Sequence, residues 1–263
     1  MTPLVAVAHG SRDPRAAATV ERLMSRVRAH AAARGLAELP VHTAYLGHAA
    51  PSPVQLLGAL PTGPVVVLPL LLTAAYHSRT DLPAMLRAAA AQRAGHPKPW
   101  PGRPGGDQEI RYGDPLGPHP LLTAALERRL AEVGVPADPG TSVVLAAAGS
   151  SDPGARATIT RLAARWQAER GWRDVLPSYA SAAGPTPAQA VAALRATGAH
   201  RVVVASYLLA PGRFADQVRD QSVAAGAAAV SGVLGDAPEL ADVVLTRYAA
   251  ALARPVLAEP RTA

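Results

Sequence analysis

Cysteine is absent from the 263 residues, which excludes disulfides, thiolate metal sites and cysteine nucleophiles, and leaves histidine, carboxylate, carbonyl or water as metal ligands. Lysine occurs once, as Lys98, so the formal charge of +7 rests almost wholly on arginine. Such a surface attracts anions. Aromatic residues make up 4% of the chain, and no arginine or lysine cluster is interleaved with them, so no zinc-finger or RNA-recognition pattern supports nucleic acid as a partner. Long apolar runs are missing as well. The stretch from Val65 to Tyr76 has the length of a buried strand and its exit loop, short of the roughly 18 residues a spanning helix needs, and no membrane role is indicated. The opening MTPLVAVAHGSRDP carries no basic region followed by a signal-type apolar run, so a cytoplasmic protein is expected.

What is present is a duplication. LVAVAHGSRDPRA from Leu4 aligns with VVLAAAGSSDPGA from Val143, placing His9 on Ala148, Gly10 on Gly149 and Asp13 on Asp152. HTAYLGHAAPSPVQLL from His42 aligns with LPSYASAAGPTPAQAV from Leu176, pairing Tyr45 with Tyr179 and Pro51 with Pro185. VVVLPLLLTAAYHSR from Val65 aligns with VVVASYLLAPGRFAD from Val202, which sets Phe214 opposite His77, and YGDPLG at Tyr112 resembles LGDAPE at Leu234. Four blocks in one order mark two copies of one unit.

Each copy reads as alternating strand and helix. In the first, strands are expected at Leu4 to Ala8, Val41 to Leu46, Val65 to Leu72 and Ile110 to Tyr112, and helices at Ala16 to Ala32, Pro53 to Leu60, Leu82 to Gln92 and Leu121 to Val133. Near-continuous apolar strands separated by helices imply a parallel sheet covered on both faces. The fold expected is α/β, two tandem Rossmann-like lobes, each a parallel sheet of about four strands flanked by helices. The lobes are expected at residues 1–136 and 141–254, joined through GVPADPG (Gly134 to Gly140), with a Pro/Gly-rich loop from Gly95 to Asp107 and a frayed tail over 255–263.

In an open parallel sheet the residues just past the carboxyl ends of the strands line the ligand crevice. His9 follows the first strand and His77 the third, so both belong to that edge. Two neutral imidazoles there can hold a divalent first-row metal and leave other positions open. The second copy does without either, which argues that the fold needs neither and that their purpose is chemical. His48, just past the second strand, is a further metal-ligand candidate. His30, His42, His96, His119 and His200 read as solvated residues. The Gly10-Ser11 turn, with Arg12 and Arg79, suits an anion, although Ser11 and Asp13 also fit the cap of the next helix. No G-x-G-x-x-G, P-loop or G-x-S-x-G pattern is present.

AHGSRDPRA, AYLGHAAPSP and LPLLLTAAYHSRTDLP together resemble the sirohydrochlorin chelatases of the class II chelatase superfamily, in their long, internally duplicated form. The resemblance implies insertion of a divalent metal into sirohydrochlorin, Fe²⁺ for siroheme ahead of Co²⁺ for a cobalamin-type pathway. It implies His9 and His77 as metal-binding and proton-accepting residues, and Ser11, Arg12, Tyr76 and Arg79 as contacts to the polycarboxylate macrocycle. It also implies no permanent cofactor, and a monomer in which the duplication replaces a homodimer. Many relatives carry an acidic residue at the end of the second strand, where this chain has Gly47. A protein of the same fold that binds metal or tetrapyrrole without inserting anything is the alternative.

Overall fold

The computed structural model describes residues 1–73, 82–94 and 108–257. Tyr76, His77 and Arg79, and the whole of the Gly95 to Asp107 loop with His96, lie outside them. The described chain forms two four-stranded parallel sheets, as the two-copy α/β reading expects. In the first, β1 (Leu4–Ala8) lies between β2 (Val41–Tyr45) and β3 (Gly63–Pro69), with β4 (Gln108–Tyr112) outside β3, giving the order β2-β1-β3-β4. The second sheet repeats it as β6-β5-β7-β8, from β5 (Thr141–Ala147), β6 (Asp174–Tyr179), β7 (Arg201–Tyr207) and β8 (Ala229–Val233). All five residues of β1 and all seven of β5 are buried, the signature of a central strand covered on both faces.

The helices begin where the sequence supplies a cap and a proline. The Asp13 side chain accepts from Arg15 N at 2.9 Å ahead of α1 (Pro14–Ala33), and Asp152 accepts from Gly154 N at 2.8 Å ahead of α5 (Pro153–Arg170). α2 (Pro53–Ala59) opens on a capping box between Ser52 and Gln55, and α6 (Pro187–Ala196) on the same device between Thr186 and Gln189. Proline at the first helical position presets φ, which is why α1 starts at Pro14, ahead of the Ala16 read from apolar spacing. α3 (Leu82–Ala94) and α7 (Arg213–Ala224) complete the connections within each sheet.

The compact units do not follow the expected boundaries at 136 and 141. One comprises Met1–Leu116 and Ala241–Ala263, the other Gly117–Leu240. The fourth helix of the first copy, α4 (Pro120–Ala131), belongs to the second unit, where it packs on β7 and β8. Its Leu122, Ala125, Leu126 and Leu130 are fully buried, Arg129 Nη2 donates to Leu234 O at 3.0 Å, and Glu127 accepts from Trp166 Nε1 at 2.9 Å. Conversely, most of α8 (Pro238–Leu252), the last helix of the second copy, closes the first unit. There Tyr248 Oη donates to Thr2 O at 2.7 Å, and Asp242 meets His30 Nδ1 at 2.7 Å and Arg34 Nη2 at 2.8 Å. Sequence similarity marks what was copied; burial of each helix's apolar face decides where it packs, and the two differ here.

Residues 255–257 of the tail expected to be frayed are ordered. Leu257 N donates to Ile110 O at 2.7 Å, and its side chain packs against the core of the first unit. Residues 258–263 lie outside the described chain. Among the described residues no helix is long and apolar enough to cross a membrane.

Candidate metal-binding edge of the first unit

In the order β2-β1-β3-β4, the chain crosses from one side of β1 to the other between β2 and β3, so the crevice of an open sheet falls at the carboxyl ends of β1 and β3. His9 is the first residue past β1. It is exposed, with Nδ1 3.4 Å from Gly10 O. The parallel ladder continues past the strands: Leu70 N donates to Val7 O at 2.8 Å, Leu46 N to Ala8 O at 3.0 Å and Gly47 N to His9 O at 3.1 Å. These bonds bring the exit of β2, with His48 next in line, against the backbone of His9.

Gly10 is required for that approach. A Cβ at this residue would stand 1.8 Å from Gly47 O, and its φ of +84° lies in the left-handed region. The second copy repeats the contact, with a Cβ at Gly149 falling 1.9 Å from Ser181 O. The glycine read as part of an anion-binding turn therefore has a packing purpose, and its presence in both copies is the signal that could have shown it. Gly10→Ala is expected to destabilise the protein by about 3 kcal/mol through clash and backbone strain. Urea denaturation would measure this, and a shift below 1 kcal/mol, on the order of an ordinary surface substitution, would contradict the close approach.

Ser11 and Asp13 are engaged as caps. Ser11 Oγ accepts from Asp13 N at 3.1 Å, and the Asp13 carboxylate takes Arg15 Nε at 3.0 Å and Nη2 at 2.6 Å besides the backbone N–H. The Arg15 side chain, then its backbone donor, hold Asp13 below the usual carboxylate range. Ser150 and Asp152 repeat the backbone part of this cap in the second copy. Arg12, three residues after His9 in the chain, is exposed.

The other histidines divide by environment. Burial, then the charge of Arg28, holds His42 below the ordinary imidazole value, and it pairs with Val5 within the sheet, away from the carboxyl edge. His30, expected to be solvated, is bound to Asp242, and His119 caps α4 by accepting from Leu121 N at 3.2 Å. His200 is exposed on the second unit. Among the described residues no group of three or more His, Asp or Glu side chains is gathered to hold a metal. What the described edge brings together is His9 and the loop carrying His48.

The CbiX family model matches residues 3–133 and again 142–251, one match for each copy. The chain belongs to the CbiX family. It is similar to a sirohydrochlorin ferrochelatase of Bacillus subtilis (strain 168), 27% identical over 154 residues that cover 59% of this chain and 54% of that protein. It is also similar to a sirohydrochlorin cobaltochelatase of Priestia megaterium, 27% identical over 219 residues, 81% of this chain and 65% of that one. The chain thus spans between about half and two thirds of the length of these curated relatives. Among solved structures, SirB from Bacillus subtilis with Fe3+ matches with a TM-score of 0.76 at 22% identity, covering 96% of both chains, a likeness of fold. The duplicated topology is thus that of a CbiX-family protein.

Proposed function

We propose that this CbiX-family protein is a sirohydrochlorin chelatase, inserting Fe²⁺, with Co²⁺ as the alternative substrate metal, into the macrocycle for siroheme or a cobalamin-type product. The observation that carries the reading is His9, an exposed imidazole at the topological switch point of the first sheet, set on a backbone whose copy holds Ala148. A residue kept for the fold would be required in both copies. A donor needed at one site is required once.

Insertion exchanges two pyrrole N–H protons for one dication. The protein must strip part of the metal's water shell, hold the ion beside the ring face and accept protons near neutral pH. Imidazole meets the first and last of these requirements, because the unprotonated nitrogen of one neutral ring can replace water on a borderline cation while a ring not engaged with the metal takes up a proton near neutral pH. His9 and His77 fill these roles in the proposal. The acetate and propionate groups of the macrocycle call for donors at the rim, for which Arg12, Arg79, Tyr76 and Ser11 are proposed. Ser11 Oγ already accepts from Asp13 N, so it would offer its hydroxyl proton to a carboxylate while keeping that bond. The reading takes the protein to act in the cytoplasm and as a monomer.

Anaerobic incubation of the full chain with sirohydrochlorin and Fe²⁺ or Co²⁺, followed by absorbance, is expected to show metallation well above the spontaneous rate. A rate equal to the control without enzyme would leave a protein that binds metal or tetrapyrrole without inserting anything.

A further inference from the structure

Two loops meet at the carboxyl edge of the first unit, and each carries one histidine. Gly47 N donates to His9 O at 3.1 Å, and His48 is the next residue. His48 is exposed and has a φ of +62°, in the left-handed region that non-glycine residues rarely adopt. Such a residue breaks the alternation of an extended strand, so the rule that adjacent residues face opposite sides does not separate His48 from the edge. The second copy has the same backbone: Ala182 has a φ of +58° and Ser181 N donates to Ala148 O at 3.0 Å. The loop conformation therefore does not depend on an imidazole at residue 48. Both histidines that the described loops place here, His9 and His48, become alanine in the copy, whereas Gly10, Ser11, Asp13, Tyr45 and Pro51 keep their types.

The carboxylates just past β1 and β4 are already engaged, Asp114 by Arg254. Asp13, the nearest in sequence, is occupied by the backbone and side chain of Arg15. At Gly47, a Cβ would meet nothing within 4 Å, so the place beside the His9 carbonyl is open yet carries no side chain.

We infer that His48 is a nitrogen donor acting with His9 in capturing the divalent metal, which makes this edge a site for borderline cations that bind imidazole rather than for hard cations that need carboxylate. The inference rests on the chelatase reading for its purpose, though its metal-binding content stands apart from turnover. Imidazole suits Fe, Co, Ni and Zn, whereas Mg²⁺ and Mn²⁺ favour oxygen ligands. A site built from His9 and His48 captures a scarce transition metal in the presence of excess Mg²⁺.

The test is anaerobic titration of the full chain with Co²⁺ alone, by calorimetry and visible absorption, repeated in millimolar Mg²⁺. His48→Ala is expected to weaken Co²⁺ binding at least tenfold with an unchanged circular dichroism spectrum, since Ala182 already adopts this conformation. His200→Ala is expected to leave binding unchanged. His48→Ala combined with Gly47→Glu is expected to recover affinity while admitting competition from Mn²⁺, because the recovered donor is an oxygen. Unchanged Co²⁺ affinity in His48→Ala, or equal competition by Mg²⁺ in the native chain, overturns the inference. If His48→Ala binds Co²⁺ normally while the native chain metallates sirohydrochlorin, the inference fails and the chelatase reading stands. If Co²⁺ binding depends on His48 but no metallation occurs, the chelatase reading fails and the inference stands.

Discussion

Replacing His9 by alanine is expected to reduce metallation of sirohydrochlorin to the spontaneous rate while leaving the fold intact. An imidazole that acts as general base contributes on the order of 10²–10⁴-fold, and one that acts as metal donor is needed to hold the ion at the ring, so either role lost brings a large fall in rate. The structural cost is small, because the His9 side chain is exposed and the matching backbone in the second copy already carries Ala148, with the same hydrogen bond from the neighbouring loop to its carbonyl. His77→Ala is expected to have the same effect on metallation, its counterpart being Phe214, which is itself 41% exposed. The discriminating measurement pairs the anaerobic assay with circular dichroism and a thermal melt. Loss of turnover with an unchanged melt supports the chemical role. Unfolding of either variant would show the histidine to be structural, and full turnover by His9→Ala would remove it from the mechanism.

Dividing the chain at its repeat boundary is expected to give two fragments that do not fold alone. Residues 1–136 contain the first sheet but lack α8, which packs in that unit, and they carry α4, which packs in the other. The three fully buried leucines of α4, Leu122, Leu126 and Leu130, gain about 5–9 kcal/mol from burial, which is comparable to the whole stability of an ordinary domain. On the α8 side, Val243 and Val244 belong to the first unit and are 0% accessible in the intact protein, and residues 137–263 lack the sheet of that unit. Each fragment is expected to be aggregated or to lack a cooperative melt. The two together are expected to regain native ellipticity, because each brings the helix the other sheet needs. A monomeric 1–136 fragment with a cooperative unfolding transition would contradict the exchange of helices.

The features legible in the sequence were those set by local chemistry. Val65 to Leu68 and Val202 to Ala205 read as buried strands because apolar runs of that length have few other uses, and the caps at Asp13 and Asp152 followed from Asp-Pro at the helix start. The carboxyl-edge location of His9 followed from its being the first residue past a short apolar strand. What escaped the reading were relations between distant parts of the chain. Nothing near Leu122 or Tyr248 states which sheet each helix covers, since any apolar surface of the right shape serves. The close passage of Gly10 and Gly47 likewise depends on two backbones converging, which residue types hint at only through the recurrence of glycine at Gly149. His119 as a helix cap and His30 as a partner of Asp242 went unseen because imidazole is less common than serine or aspartate at such places.

The bond from Leu257 N to Ile110 O has a consequence for how the protein behaves in a crowded solution. β4 is the outermost strand of its sheet, and an open strand edge offers unpaired peptide groups to any extended segment that drifts past. The chain's own residues reach that edge first. Arg111 Nη1, on β4, donates to Leu252 O and Arg254 O, and Arg254 in turn pairs with Asp114, so charged side chains hold the segment on either side of the strand end alongside the Leu257 bond. The stretch after α8 is thus a guard against edge-to-edge association.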